Sequence, residues 1–404
     1  MLPSIARPAV AALLLCGSLS ACNGPACGTY PVCDIREASC QAAVWAETQC
    51  ARDGVGEPIP PVRVIDVDTY RAELEADLAS WEPGPDDPHL DRALDLLDLV
   101  PMDATRAETN IDDQVATTGA YYTRADGAIT IIDRGAMDDV SDVIVLHHEM
   151  VHALQDRAHD LTAFYGETMT HDEAVARSMV VEGEATGLMY LYYLGTLAVD
   201  PLQADWSAFF DAWLDEVRGP TTASGIARSR LLAYPLGGRA TIDAWLADTR
   251  SARRAFDDPP SSTVSFFYDP FRGETGPGPF SPVCDATGIP PGARHVLDDT
   301  FGATVLYAFV AGSGREADAW ALARAWSGDR VTVVASADGE HTGIAWRIRV
   351  RDAAAAQTLV ERTEWFWSQP LHGMFQDGSS LVLFASDDAA LFEGVSAAAA
   401  VACP

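Results

Sequence analysis

Apolar side chains follow two different spacings along the chain, and the changes between them mark the elements. Val62 to Asp68 alternates apolar and polar residues, as a half-buried strand does, and Thr69 can cap a helix running to about Ser80. A Pro-rich stretch leads to a short helix near His89 to Leu99. Thr118 to Thr123 and Ala128 to Ile132 are β-rich runs joined by Arg124-Ala125-Asp126-Gly127, a hairpin turn signal. Helical spacing then holds from about Ser141 to His159, with Val143, Ile144, Val151 and Leu154 on the apolar side. Further helices are expected over Asp172 to Gly195, Trp206 to Val217 and Ile226 to Leu246, and residues 250 to 295 read as loop. Beyond them come helices over Thr300 to Phe309 and Glu316 to Trp326, then strands over Val331 to Ser336 and Gly343 to Val350. A helix over Asp352 to Trp367, a strand over Ser380 to Ala385 and a final helix from Asp387 complete the chain. The order predicts an α+β fold: a largely helical domain over residues 62–290 and a small α+β domain over 291–404. There is no internal repeat.

The amino terminus reads as a targeting segment. Arg7 precedes an apolar run from Ala9 to Leu19, followed by Leu19-Ser20-Ala21-Cys22. This resembles a bacterial lipoprotein signal peptide. The resemblance implies removal of residues 1–21, lipidation of Cys22, and an exported protein held at a membrane facing the periplasm or the cell surface. The run is too short for a spanning helix with proper flanks, whereas several acyl chains together anchor stably. The alternative is a plain secretory signal with Cys22 in a disulfide. Residues 22–61 then form a Cys-rich neck, with a helix around Ile35 to Ala51, ended by Glu57-Pro58-Ile59-Pro60-Pro61.

Eight cysteines are present. With Cys16 in the signal and Cys22 lipidated, Cys27, Cys33, Cys40, Cys50, Cys284 and Cys403 remain, an even number suited to disulfides in an oxidising compartment. Local pairing among the first four, with Cys284 joined to Cys403, is the simplest expectation. A zinc site among the first four lacks the paired close spacings such sites use. The net charge of −32 over 404 residues opposes contact with phosphate backbones, so no nucleic-acid partner is expected.

Candidate chemistry centres on His148-Glu149-Met150-Val151-His152. Two histidines four residues apart share one face of a helix and can hold one cation. Glu149, about 100° around the helix, can reach water at that cation without ligating it. A third ligand must come from elsewhere. A histidine six residues on, reached through a glycine, is ruled out by Gln155 and Ala158. Asp156 and His159 lie too far along the same helix to close a tetrahedron, and suit supporting or surface roles. The next helix offers Val180-Val181-Glu182-Gly183-Glu184-Ala185, and an acidic pair within an apolar helix is costly unless paired or metal-bound. Glu182 is preferred as ligand; Glu184 is the alternative, or the group that orients a ligand histidine. His147 points about 100° away from His148 and reads as structural.

His148 to His152 followed by Ala153-Leu154-Gln155-Asp156, with the Glu-Gly-Glu-Ala segment after it, resembles a group of bacterial gluzincin-type metallopeptidases. Gly119-Ala120-Tyr121-Tyr122, Tyr234-Pro235-Leu236-Gly237, Pro259-Pro260-Ser261-Ser262-Thr263 and Trp326-Ser327-Gly328-Asp329-Arg330 fit in order, so the likeness spans roughly residues 62 to 365. It implies a zincin-like domain in which one Zn²⁺ is held by His148, His152 and Glu182, with Glu149 as catalytic carboxylate and a peptide or protein as substrate. Tyr268 stands near the place where that family usually carries a histidine. Candidates for the oxyanion donor are Tyr268, Tyr234, Tyr121 and Tyr122, and the Thr118 to Tyr122 edge is a candidate for receiving peptide as an added strand. The reading of another class is an envelope binding or scaffold protein that keeps this fold without turnover.

Overall fold

The computed structural model describes residues 28–400, except 53–55, 81, 83, 85, 100–107, 167–168, 219–224, 249–250, 275, 277–282, 284–288 and 313–315. The expectations for the signal segment, Cys22, Cys27, Cys284 and Cys403 therefore lie outside the described residues.

Helix α1 (Ala38–Arg52) precedes β1 (Val62–Asp66), α2 (Val67–Ser80), α3 (Asp87–Leu96) and α4 (Glu108–Thr117). The hairpin strands β2 (Ala120–Thr123) and β3 (Ala128–Asp133) follow, with β3 in the centre of a three-stranded sheet ordered β1-β3-β2. β1 runs parallel to β3 and β2 antiparallel to it, with Tyr122 opposite Ile129. Strand β2 is thus an edge, and among the described residues it pairs with β3 alone.

Helix α5 (Val140–His159) begins at a reciprocal cap. The Asp139 carboxylate accepts from the Ser141 and Asp142 amides, and Asp142 reaches back to the Asp139 amide. Short α6 (Leu161–Tyr165) leads to α7 (His171–Thr196), whose first turn is closed by Thr170 and Glu173 in the same way. Then come α8 (Trp206–Arg218), α9 (Gly225–Leu231), α10 (Ala233–Ala247) and α11 (Ser251–Asp257). The single helix expected over Ile226 to Leu246 is broken at Leu232, just before Pro235. Pro235 has no amide to donate, and its ring crowds the carbonyl of Leu231 four residues back. The expected loop over 250–295 contains α11 and two short 3-10 turns, Thr263–Phe267 and Pro270–Arg272.

Strand β4 (Arg294–Asp299) precedes α12 (Gly302–Ala311), α13 (Glu316–Ala325), β5 (Trp326–Ala335), β6 (Thr342–Val350), α14 (Ala353–Arg362), α15 (Glu364–Trp367), β7 (His372–Asp377), β8 (Ser380–Ser386) and α16 (Ala389–Ala399). The strands form an antiparallel sheet ordered β4-β5-β6-β8-β7. Alternate residues on it face opposite ways. Val331, Val333, Ile344, Trp346, Ile348, Leu381 and Leu383 join one core, while Val334, Ala345, Val382 and Phe384 pack with Leu391 and Val395 of α16. The first of these cores also takes in Val175, Met179 and Val180 of α7 and Leu232 and Leu236 at the start of α10. The fold is mixed α+β, and the second sheet shares its main core with α7 and α10.

Cys33 is bonded to Cys40, a local pairing of the expected kind, and Cys50 is also disulfide-bonded, to a partner outside the described residues. The neck helix α1 is packed rather than free: Ile35, Cys40, Val44 and Trp45 join one core with Leu146, Met150, Ala153 and Leu154 of α5. No described helix is long and apolar enough to cross a membrane.

Candidate metal centre

Helix α5 presents His148 and His152 on one face with ring centroids 4.7 Å apart and planes at 83°. Helix α7 crosses this face and brings in Glu182. Three atoms converge: the two Nε2 atoms are 3.0 Å apart, and Glu182 Oε2 lies 3.3 Å from one and 3.4 Å from the other. A tetrahedral zinc with ligands at about 2.0–2.1 Å sets neighbouring ligand atoms about 3.3–3.4 Å apart. The cluster therefore has the spacing of one triangular face of such a site, and among the described residues it is the group able to hold a metal. The Glu182 side chain keeps 22% of its exposure, so the cluster is approachable from solvent.

Burial works against charge on His152, but the Glu182 carboxylate beside it raises that imidazole to about 9. Burial would raise Glu182, yet His152 and His148 together hold it well below the usual carboxylate range. The Glu182 carboxylate and the His152 imidazole thus favour each other's charged forms. Glu149 is buried beside them, and burial raises its carboxyl against the pull of His148 and His152. Its Oε2 accepts the Tyr122 amide of edge strand β2 at 2.9 Å.

Glu182 and Glu184 lie two residues apart, so they leave α7 in different directions, about 200° around the axis. Glu184 misses the cluster. It accepts from Gln155 Nε2 at 2.9 Å and from Arg52 Nε at 3.0 and 3.1 Å. Gln155 in turn meets His152 Nδ1 through Oε1 at 2.7 Å. Glu184 therefore reaches a candidate ligand indirectly. Asp156 does not: it accepts from the Tyr122 hydroxyl at 2.8 Å and the Leu161 amide at 2.9 Å, tying the hairpin to the end of α5. His147 is buried against Tyr192, 4.7 Å between ring centroids, and burial pushes it down to about 3.

The four candidate tyrosines separate. The Tyr121 hydroxyl contacts Arg63 and Glu73, that of Tyr122 holds Asp156, and that of Tyr268 donates to the Arg324 carbonyl and meets Arg351. Tyr234 lies against the cluster, 6.2 Å from the His148 ring, and the charge of Glu182 together with burial drives its hydroxyl well above its ordinary value. Glycine places it there. Gly183 of α7 and Gly237 of α10 sit backbone to backbone, and a Cβ on either would overlap the other helix. The glycine between the two glutamates and the one in Tyr-Pro-Leu-Gly are the two halves of one close crossing.

The other two motifs meet far from His148. Thr263 donates its amide to Asp172 at 3.0 Å, and Asp329 accepts from the Phe301 and Gly302 amides at 3.2 and 3.3 Å and from the Trp346 indole at 2.6 Å. Gly302, at φ +81°, abuts the Asp172 carboxylate. Arg330 faces the other way and pairs with Asp298 at 3.0 Å. These motifs knit α7, α12 and β5 together.

Sequence reasoning passed over Gln155, Arg52 and Tyr165. Gln155 had a signal, since residues three apart on a helix are neighbours. Tyr165, raised to about 12 by burial and then by Glu182, is placed by α6, which no periodicity announced. No protein-family model, no curated protein and no solved structure matches the chain. The gluzincin likeness therefore rests on these residues and their arrangement.

Proposed function

We propose that this chain is a zinc-dependent peptidase of gluzincin type with a zincin-like catalytic domain. The observation that carries the reading is the convergence of His148 Nε2, His152 Nε2 and Glu182 Oε2 at 3.0–3.4 Å beside the buried Glu149. Two imidazoles and one carboxylate suit zinc. Zinc held there supplies Lewis-acid polarisation of a carbonyl and acidification of water.

The chain's own residues supply the rest. Glu149 Oε2 is engaged by the Tyr122 amide, while Oε1 has no hydrogen-bond partner among the described residues and can accept the proton of the attacking water, then pass it to the leaving amine. The Tyr234 hydroxyl would donate to the oxyanion, a role supported by the nearness of its ring to His148. Strand β2, an edge whose Tyr122 amide is bonded to Glu149, would align an extended peptide beside the base. Export on a lipid at Cys22 is part of the proposal. It is supported by the signal-like residues 1–22 and by the Cys33–Cys40 disulfide, which suits an oxidising compartment.

One observation favours the scaffold reading: Glu149 straps β2 to α5, a structural task that needs no turnover. The test uses the zinc-loaded full chain and an unfolded protein substrate. Glu149→Gln should lower hydrolysis by about 10²–10⁴-fold with zinc content unchanged. Equal hydrolysis by both proteins would remove Glu149 from the mechanism, and none by the wild type would leave the scaffold reading standing.

A further inference from the structure

We infer that Arg52, on the amino-terminal neck helix, is a positioning residue of the metal centre, acting through Glu184 and Gln155 on His152. The inference rests on the zinc reading above and names residues that the motif does not contain.

Gln155 is fully buried, and its carboxamide has one consistent orientation. Nε2 faces the Val181 carbonyl at 2.9 Å and Glu184 Oε2 at 2.9 Å. A carbonyl and a carboxylate can only accept, so the amino end of the amide must lie there. The oxygen end therefore faces His152 Nδ1, which must donate to it. That leaves the neutral ring with its lone pair on Nε2, the atom that meets His148 and Glu182. A ligand histidine normally has its tautomer and ring angle fixed by such a contact. His148 has none, since its Nδ1 is buried without a partner among the described residues. Orientation of the site through imidazole thus falls on His152 and the chain of contacts behind it.

Glu184 holds that orientation only if its own carboxylate is held. Arg52 does this from another part of the chain: Nε bonds both Glu184 oxygens, and Nη1 donates to the Leu154 carbonyl at 2.9 Å. The side chains of Arg52 and Glu184 are 5% and 4% exposed, so solvent does not replace either partner. Arg52 is itself fixed by its helix. Cys50, two residues earlier, is disulfide-bonded, Cys40 is bonded to Cys33, and α1 packs along α5. The neck helix is consequently a wall of the metal centre.

The test measures zinc affinity of the full chain by competition with a chromophoric chelator. It also follows the His152 Nδ1–H proton by nitrogen-resolved NMR, with and without zinc. Gln155→Leu should raise the zinc Kd by about 10–100-fold and remove the protected Nδ1–H signal. Arg52→Met combined with Glu184→Leu removes both charges together, so no lone ion is left buried, and should raise the Kd by about 10-fold. Arg52→Lys, which keeps the charge but loses the fork that spans Glu184 and Leu154, should fall between wild type and the double variant; it replaces the double variant if that protein does not fold. Folded variants with wild-type zinc affinity and an unchanged Nδ1–H signal would overturn the relay. A wild-type chain that binds no zinc would instead overturn the metal reading itself.

Discussion

Helix α7 carries a carboxylate at each of two sites, buried Asp172 in its first turn and partly exposed Glu182 ten residues later, and their surroundings push them in opposite directions. Glu182 meets two imidazoles, and its proton affinity falls in spite of burial. Asp172 meets neutral donors from Ser262 and Thr263, with Asp329 nearby; burial raises it to about 6 and Asp329 to about 7. Both sites are acidic and draw on residues of the motifs. The difference is what the acid faces. An acid kept ionised beside two imidazoles can share one cation with them, whereas an acid enclosed among amides, a hydroxyl and an indole serves as an acceptor that ties backbone segments together. Perturbed acids therefore do not by themselves mark a reactive centre.

The sharpest way to break this comparison is Glu182→Ala. It should abolish stoichiometric zinc and, with it, hydrolysis, as read by metal analysis and a peptidase assay; retained zinc would remove the distinction. Tyr234→Phe should keep the metal and lower kcat by about 10²–10³-fold if its hydroxyl meets the oxyanion. On the other side, Asp329→Ala should cost about 1–3 kcal/mol in denaturant unfolding by orphaning the Phe301 and Gly302 amides and the Trp346 indole, with zinc content unchanged. The last effect is on pH dependence. Folded values of about 6 and 7 lie above the unfolded carboxyl value near ~4. The folded state thus holds more protons, and this contribution, complete below about pH 4, is lost as pH rises through those values. Melting temperature should carry a downward component between about pH 4 and 7, and Asp329→Asn should flatten it.

Much of the centre could be read from residue spacing. The i, i+4 histidines need only a helix, and the apolar stripe announced that helix. Glu182 was legible because an acid in an apolar helix has to answer to something. Its partner Glu184 was legible as a supporting group but not in its connection, because the link passes through Gln155 to Arg52, more than a hundred residues away in sequence. The Pro-Pro-x-Ser-Thr and Trp-Ser-Gly-Asp-Arg segments read as parts of a catalytic resemblance, yet they meet at Asp172 and Asp329; sequence order alone cannot distinguish a structural joint from a reactive one. Among the elements, β4 and β7 escaped notice for a shared reason. Both are edge strands of the second sheet, partly exposed, and Arg294–Asp299 and His372–Asp377 carry too few apolar residues to show a period. Helix α4 has only Ile111 and Val115 among its buried apolar residues, too little to announce a helix.

The packing of α1 also decides where the chain can be cut. Glu57-Pro58-Ile59-Pro60-Pro61 looks like a natural place to begin a shortened, soluble fragment. A fragment starting at Val62 would lose Val44 and Trp45 from the face of α5 that bears Met150 and Leu154, along with the Trp45 ring over which Arg157 lies. It would also leave Glu184 buried without its guanidinium. The folding unit begins before the proline boundary, and a fragment designed on that boundary should be aggregation-prone and poor in metal even though every residue of the zinc motif is intact.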